Sequence, residues 1–387
     1  MTNMALSTLV ILLLLPTFAI AAKAPVDSDW ATTASWVNKS ADPDNPYELP
    51  KESLPPKTTI DTFGICFAAS AATVLNYEMC KQSSIKDCSR LPESKQVSTI
   101  GIARYEADAI PGSLPKFDES YEQLKIGGSG GKVLSYASRM MKIPTEECAS
   151  LARITSKIPV ETANDAVRAQ QEIWNSLESD YEGYRKAVAE KCDSCAANFY
   201  ASAIETVSKG IKLEEDQLVD PNMRNDQARI LEAFKKDTYQ KALNQLLYPK
   251  SCSESGVTLP NKNGVKVGLF PQDEVIKDGE ALVPKIKEIL LTKKPVILDG
   301  ICVVDCGTKK PGYHSVVIAG YKKICPKGDT QQKNCREALK IINSVGAGWQ
   351  AAHNDGWVEA KSLMKNVKVD KGNLAWLEDR PKAKTTQ

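Results

Sequence analysis

Histidine is nearly absent from this sequence: His314 and His353 are the only two in 387 residues. A zinc site built mainly from imidazoles is therefore excluded, and a mechanism pairing a thiol with a histidine has two candidates for its base. An excess of one charge sign is missing too. Fifty Lys plus Arg stand against 48 Asp plus Glu, a net charge of +2. Nucleic-acid binders carry a clear basic excess, so no nucleic-acid partner is expected. Beyond the N-terminus no apolar run reaches the length of a membrane span. The stretch at 160–250 shows no internal repeat, and low-complexity sequence appears only at the C-terminal tail. Hydrophobic residues at 42% allow a packed core and rule out wholesale disorder.

What is present points first to export. Residues 5–15 form a short apolar run, followed by Pro16 and the small-residue pattern Ala19-Ile20-Ala21. This reads as a signal peptide (1–21) cleaved after Ala21, leaving a secreted or periplasmic protein with no membrane segment in its mature form. The alternative is an uncleaved membrane anchor, for which the run is short. The eleven cysteines agree with that reading. In an oxidising compartment ten can form five bridges, which leaves one thiol outside them. Cys80 with Cys88 and Cys325 with Cys335 are close enough for local bridges. Cys192-Asp193-Ser194-Cys195 has a spacing shared by zinc and redox sites, but without a second such pair a structural disulfide is favoured. How Cys148, Cys192, Cys195 and Cys252 connect is not legible.

The chain divides into further segments. Residues 22–60 hold Pro25, Pro43, Pro46, Pro50, Pro55 and Pro56 among many charges and read as extended. From Cys66 an alanine-rich run predicts a helix, within a helical region spanning 61–150. Gly127-Gly128-Ser129-Gly130-Gly131 reads as a flexible break before a helix at Lys132–Met141. Within 151–252, Val167, Ile173, Trp174, Leu177, Tyr181, Tyr184 and Val188 recur at steps of three and four, which predicts an all-helical insertion. Asp220-Pro221 supplies a start signal for another helix carrying Leu231, Phe234, Ala242, Leu243 and Leu246. Mixed charge on this helical period is expected of a capping module. Residues 253–376 read as β-rich. After a helix at about 281–291, strands are predicted at Lys294–Asp299, His314–Tyr321 and Leu339–Ser344. Residues 377–387 form the tail.

Chemistry concentrates at three places. In Gly64-Ile65-Cys66-Phe67-Ala68 the cysteine opens a helix, where the helix dipole stabilises a thiolate and lowers the thiol pKa from about 8.5. Cys66 is therefore the candidate for the thiol outside the bridges. His314 begins an apolar strand that runs to Gly320-Tyr321. Asn343-Ser344-Val345-Gly346 follows the next strand, and Gly356-Trp357 comes later still. His353, in Ala351–Gly356, reads as a surface histidine in a loop.

This order of Cys, His and Asn resembles the papain-like cysteine peptidases, over about 61–80, 127–141 and 281–360. Lys294–Asp299 resembles the family's Gly-Pro-Val strand, and Gly130-Gly131 its substrate-binding glycine pair. The resemblance implies an α+β, papain-like two-lobed fold, with a helical lobe carrying Cys66 and a β lobe carrying His314 and Asn343. It implies Cys66 as nucleophile, His314 as general acid and base, Asn343 as the residue orienting the ring, and Gly130 and Gly131 as backbone partners of an extended peptide or protein substrate. No cofactor or metal is expected.

The departures are specific. Phe67 and Val345 replace tryptophans, Phe63 and Gly128 stand where the family has a bridged cysteine pair, and Ile60 occupies the place of the oxyanion glutamine. Asp61 and Thr62 adjoin it. The span from Cys66 to His314 exceeds the roughly 130–150 residues of papain-type enzymes by about a hundred, which the stretch at 160–250 accounts for. The implied activity is peptide-bond hydrolysis. The alternatives are an acyltransferase, transglutaminase-like, on the same scaffold, or a catalytically inactive papain-fold binding protein.

Overall fold

Cys66–Lys81 forms α1, and every residue from Cys66 to Cys80 is buried. A helix without a solvent-facing stripe belongs in the centre of a core. The small side chains of Ala68, Ala69, Ala71 and Ala72 let neighbours approach it from all sides. The computed structural model describes residues 31, 45–56, 63–106, 123–140, 142–158, 163–213, 225–253, 255–259, 264–309, 311–325 and 333–379. The expected signal peptide, Ile60, Asp61, Thr62 and Asp220-Pro221 lie outside these residues.

Two short helices accompany α1: α2, Thr99–Ala103, and α3, Gly130–Ala137. Ser129 caps α3 by accepting from the Lys132 N–H. The helix therefore opens at the glycine pair and ends at Ala137, earlier at both ends than predicted, and Gly130 and Gly131 belong to it instead of to a flexible break. The Gly127 N–H donates to the Gly64 carbonyl at 2.9 Å, which fixes the glycine run beside the entry to α1.

The insertion consists of α4 (Leu151–Ile154), α5 (Ala163–Ala189), α6 (Asp193–Gly210), α7 (Asn225–Phe234) and α8 (Tyr239–Leu247). The stretch predicted as one helix through Leu246 is two, because Thr238 caps a fresh start at Tyr239. Val188 is 50% exposed and does not share the buried stripe. A Cys148–Cys252 disulfide closes the neck of the insertion. Trp174, Leu177, Tyr181, Val207, Leu243 and Leu246 join Phe67, Val74, Leu75, Val133 and Leu134 in one continuous core. The insertion thus completes the helical half of the molecule.

The second half is a six-stranded antiparallel sheet in the order β1-β6-β2-β3-β4-β5. Its elements are β1 (Val265–Phe270), α9 (Val283–Leu291), β2 (Val296–Val304), β3 (Gly312–Ile324), β4 (Arg336–Ile342), α10 (Gly346–Ala352), β5 (Trp357–Glu359), α11 (Ala360–Lys365) and β6 (Leu374–Asp379). β1, β5 and β6 add to the three predicted strands, and β6 carries ordered sheet past residue 376, into the expected tail.

Alternation places the sheet between two cores. Ile297, Val317 and Ala375 face the core shared with α1 and α3. Their neighbours Val296, Leu298, Val316, Ile318, Leu374 and Trp376 face the side covered by α9 and α11. The molecule is a mixed α+β fold in which α1 packs directly on β2 and β3.

A buried ion pair pins the far end of α1 to the sheet. Lys294 Nζ lies 2.7 Å from Glu78 Oε1, with side-chain exposures of 2% and 1%, and 3.1 Å from Asp379 Oδ1. Burial pulls the Lys294 pKa down, but its bonds to Glu78 and Asp379 outweigh that and leave it raised. The Tyr77 hydroxyl donates to the Lys293 carbonyl at 2.7 Å beside this pair.

Candidate functional site

Ten cysteines pair as Cys80–Cys88, Cys148–Cys252, Cys192–Cys195, Cys302–Cys306 and Cys325–Cys335. Cys66 alone stays outside the disulfides. Gly64, at φ +70°, turns the chain sharply so that Cys66 becomes the first residue of α1. Its sulfur belongs to the N-terminal end of the helix, where the helix dipole favours negative charge.

His314 lies near the start of β3, the strand against which α1 packs. Its Nε2 is 2.8 Å from Asn343 Oδ1. An amide oxygen only accepts, so Nε2 carries the hydrogen and Nδ1 keeps the lone pair of the neutral ring. Burial lowers the His314 pKa below the ordinary 6.5, and the bond to Asn343 acts in the opposite direction. Asn343 is itself held: its N–H donates to Gln350 Oε1 at 3.3 Å, and Gln350 Nε2 donates to the Ile341 carbonyl at 2.8 Å.

His353 is not a surface residue. It is 6% exposed, its ring stacks on Trp349 at 4.0 Å, and Nδ1 lies 2.8 Å from the Trp349 carbonyl. The predicted loop begins instead as α10, whose last turn folds the imidazole back onto the indole. His353 is thereby committed to packing.

Gly130 and Gly131 are buried, and their lack of a side chain has a packing reason. A Cβ on Gly130 would come within 2.9 Å of Ile297 Cγ2 and 3.2 Å of the Phe67 carbonyl, next to Cys66. On Gly131 it would meet Ala375 Cβ and Leu269 Cδ2, both at 3.2 Å. The Gly131 N–H already points to Asp299 Oδ2, at 3.4 Å. Of the hydrogen bonds expected between Gly131 and an extended substrate, the donor half is engaged within the protein. Phe63, in the place of the absent bridging cysteine, is buried against Trp174 of α5 with ring centroids 3.8 Å apart.

The sequence reasoning missed two residues, Gln350 and Asp299. Asp299 had a faint signal, an acid closing a buried apolar strand; Gln350 had none. Among the described residues no cluster of three or more His, Cys, Asp or Glu is placed to hold a metal ion, and no helix is long and apolar enough to cross a membrane.

No family model and no curated protein matches this chain. Among solved structures, the crystal structure of PepW from Lactobacillus rhamnosus HN001 is similar over 89% of this chain and 82% of that one, at 11% identity and a TM-score of 0.33. A likeness that weak carries no argument about fold or activity.

Proposed function

We propose that the chain is an exported cysteine endopeptidase of the papain-like, two-lobed kind, cutting peptide bonds in peptides or proteins. The observation that supports it most is the His314–Asn343 pair at 2.8 Å on the sheet. That sheet packs against a helix headed by the one cysteine outside the disulfides.

In this reading the Cys66 thiol gives its proton to Nδ1 of His314, and the thiolate attacks the substrate carbonyl carbon. The C–N bond breaks as the imidazolium returns that proton to the leaving amine, and a thioester to Cys66 remains. Water, losing a proton to Nδ1, then attacks the thioester, releases the acid and restores the thiol. Asn343 holds the ring so that Nδ1 faces this chemistry. The Cys66 N–H at the helix start would be one oxyanion donor.

The test is incubation of the mature protein with a denatured protein, with and without an added primary amine. Hydrolysis lost by a factor of about 10⁴ or more in both Cys66→Ala and His314→Ala is the expected result. Amine incorporation in place of hydrolysis would make the enzyme an acyltransferase. No product under either condition would make the chain a binding protein.

A further inference from the structure

Asp299 is a buried carboxyl that the mechanism above does not use. It lies where the pairing of β2 and β3 slips: Leu298 pairs with Val316 and Ile301 with His314, so Asp299 and Gly300 together stand opposite Ser315 alone. Such a bulge re-aims a side chain. Here Asp299 Oδ2 accepts from Ser129 Oγ at 3.1 Å and from the Gly131 N–H at 3.4 Å. A Cβ on Gly130 would sit 3.2 Å from Asp299 Oδ1 and equally close to the Phe67 carbonyl.

The backbone of Asp299 is gripped as firmly as its side chain. Its N–H donates to the Asn373 carbonyl at 2.8 Å, and Asn373 Nδ2 donates to its carbonyl at 2.9 Å. Gly300 takes φ +87° there, and a side chain would strike Asn373 Nδ2 and the Lys368 carbonyl. The carboxyl therefore has little freedom to follow a shift in either half of the molecule.

Resting on the peptidase reading, we propose that Asp299 is a positioning residue. It ties the Gly130–Gly131 turn beside Cys66 to the bulge beside His314, and so sets the geometry between thiol and imidazole. Burial raises its pKa, while Ser315, Gly131, Ser129 and Gly130 act to lower it. Asp299 Oδ1 and Ser315 Oγ nonetheless make no well-formed hydrogen bond among the described residues. The tie runs through Ser129 and the helix N-terminus, with no ion pair contributing.

The test follows the alkylation of Cys66 by iodoacetamide against pH, with the site read by peptide mass. It is paired with kcat and KM on a peptide, for the wild type, Asp299→Ala, Asp299→Asn and Ser129→Ala. Deleting a nearby negative charge would by itself lower the thiol pKa. Lost positioning separates thiol from imidazole and raises it toward about 8.5. We expect an upward shift of about one unit or more in Asp299→Ala, with kcat/KM down about 10²-fold and most of the loss in kcat. Smaller shifts of the same sign are expected in Asp299→Asn, which keeps one oxygen for Ser129 and Gly131, and in Ser129→Ala.

Should Asp299→Ala fail to fold, the other two variants decide. Folded variants whose profile stays put or moves down overturn the proposal. A wild type that cleaves no peptide, yet shows the low thiol pKa and its upward shift in the variants, sinks the peptidase reading and leaves Asp299 as a positioning residue. A wild-type Cys66 that resists alkylation at every pH sinks both.

Discussion

Cys66 is the residue whose environment was most legible beforehand: an odd cysteine count and a helix start single it out, and the disulfides leave it out. The two histidines were less evenly readable. His314 sits in an apolar strand, and the length of that run fixes its surroundings. The stacking of His353 depends on a turn that brings residues 349 and 353 together, which no hydrophobic period announces. The two imidazoles should therefore fail differently. His353→Ala removes a buried ring and should lower stability by about 1–3 kcal/mol, with turnover per folded molecule unchanged. Asn343→Ala frees the His314 ring and should slow turnover on the order of 10²-fold at little cost in melting temperature. Thermal melts beside active-site-normalised rates check both, and a His353→Ala protein that is stable but inactive would reverse the roles assigned here.

At the scale of elements, the alanine-rich α1 and the apolar runs of β2, β3 and β4 could be read directly. β1 and β6 could not, since each is six residues long, Gly268 interrupts the pattern of β1, and β6 adjoins the charged tail. The pair Gly130-Gly131 does not behave as a flexible break because, although glycine signals freedom in sequence, here Ile297 and Phe67 crowd Gly130 and Ala375 crowds Gly131. The turn before α4 carries a testable electrostatic feature. Glu146 Oε1 accepts from the Thr99 N–H at 2.9 Å, and burial raises its pKa from 4.5 to about 7 despite that bond. Because the folded pKa lies above the unfolded one, the neutral carboxyl stabilises the fold fully below about pH 4.5. That stabilisation is lost as pH rises through about 7, at up to about 1.4 kcal/mol per pH unit. Part of the residue reaches solvent, so the total should be nearer about 2 kcal/mol. Urea midpoints at pH 5 and pH 8 should differ more in the wild type than in Glu146→Gln, which keeps an acceptor for Thr99. Equal differences would remove Glu146 as the source.

For the whole molecule, the sequence showed a helical insertion but not its dependence on the rest. Charge on its outer faces marks it as solvent-exposed. Its buried stripe is shared with α1 and α3, and α5 also touches α10, just beyond Asn343. Excising it would expose the core that carries Cys66, so the picture of a removable cap gives way to one of a structural half. The Cys148–Cys252 bridge spans 104 residues, and the chain-entropy account assigns such a loop about 4.7 kcal/mol. Replacing both cysteines by serine should lower unfolding free energy by about 3–5 kcal/mol while unfolding stays one cooperative transition. Two separated transitions would show the insertion to be an independent domain.

Acylation of the intact protein reads the nucleophile and its base together. Treated with an activated ester of a short peptide and quenched in acid, the wild type should show one acyl group by mass, mapped to Cys66 as a thioester. The adduct should be missing in Cys66→Ala and form far more slowly in His314→Ala, with His353→Ala like the wild type. An adduct on another residue, or none while Cys66 still alkylates, would contradict the assignment of Cys66 and His314 as nucleophile and base.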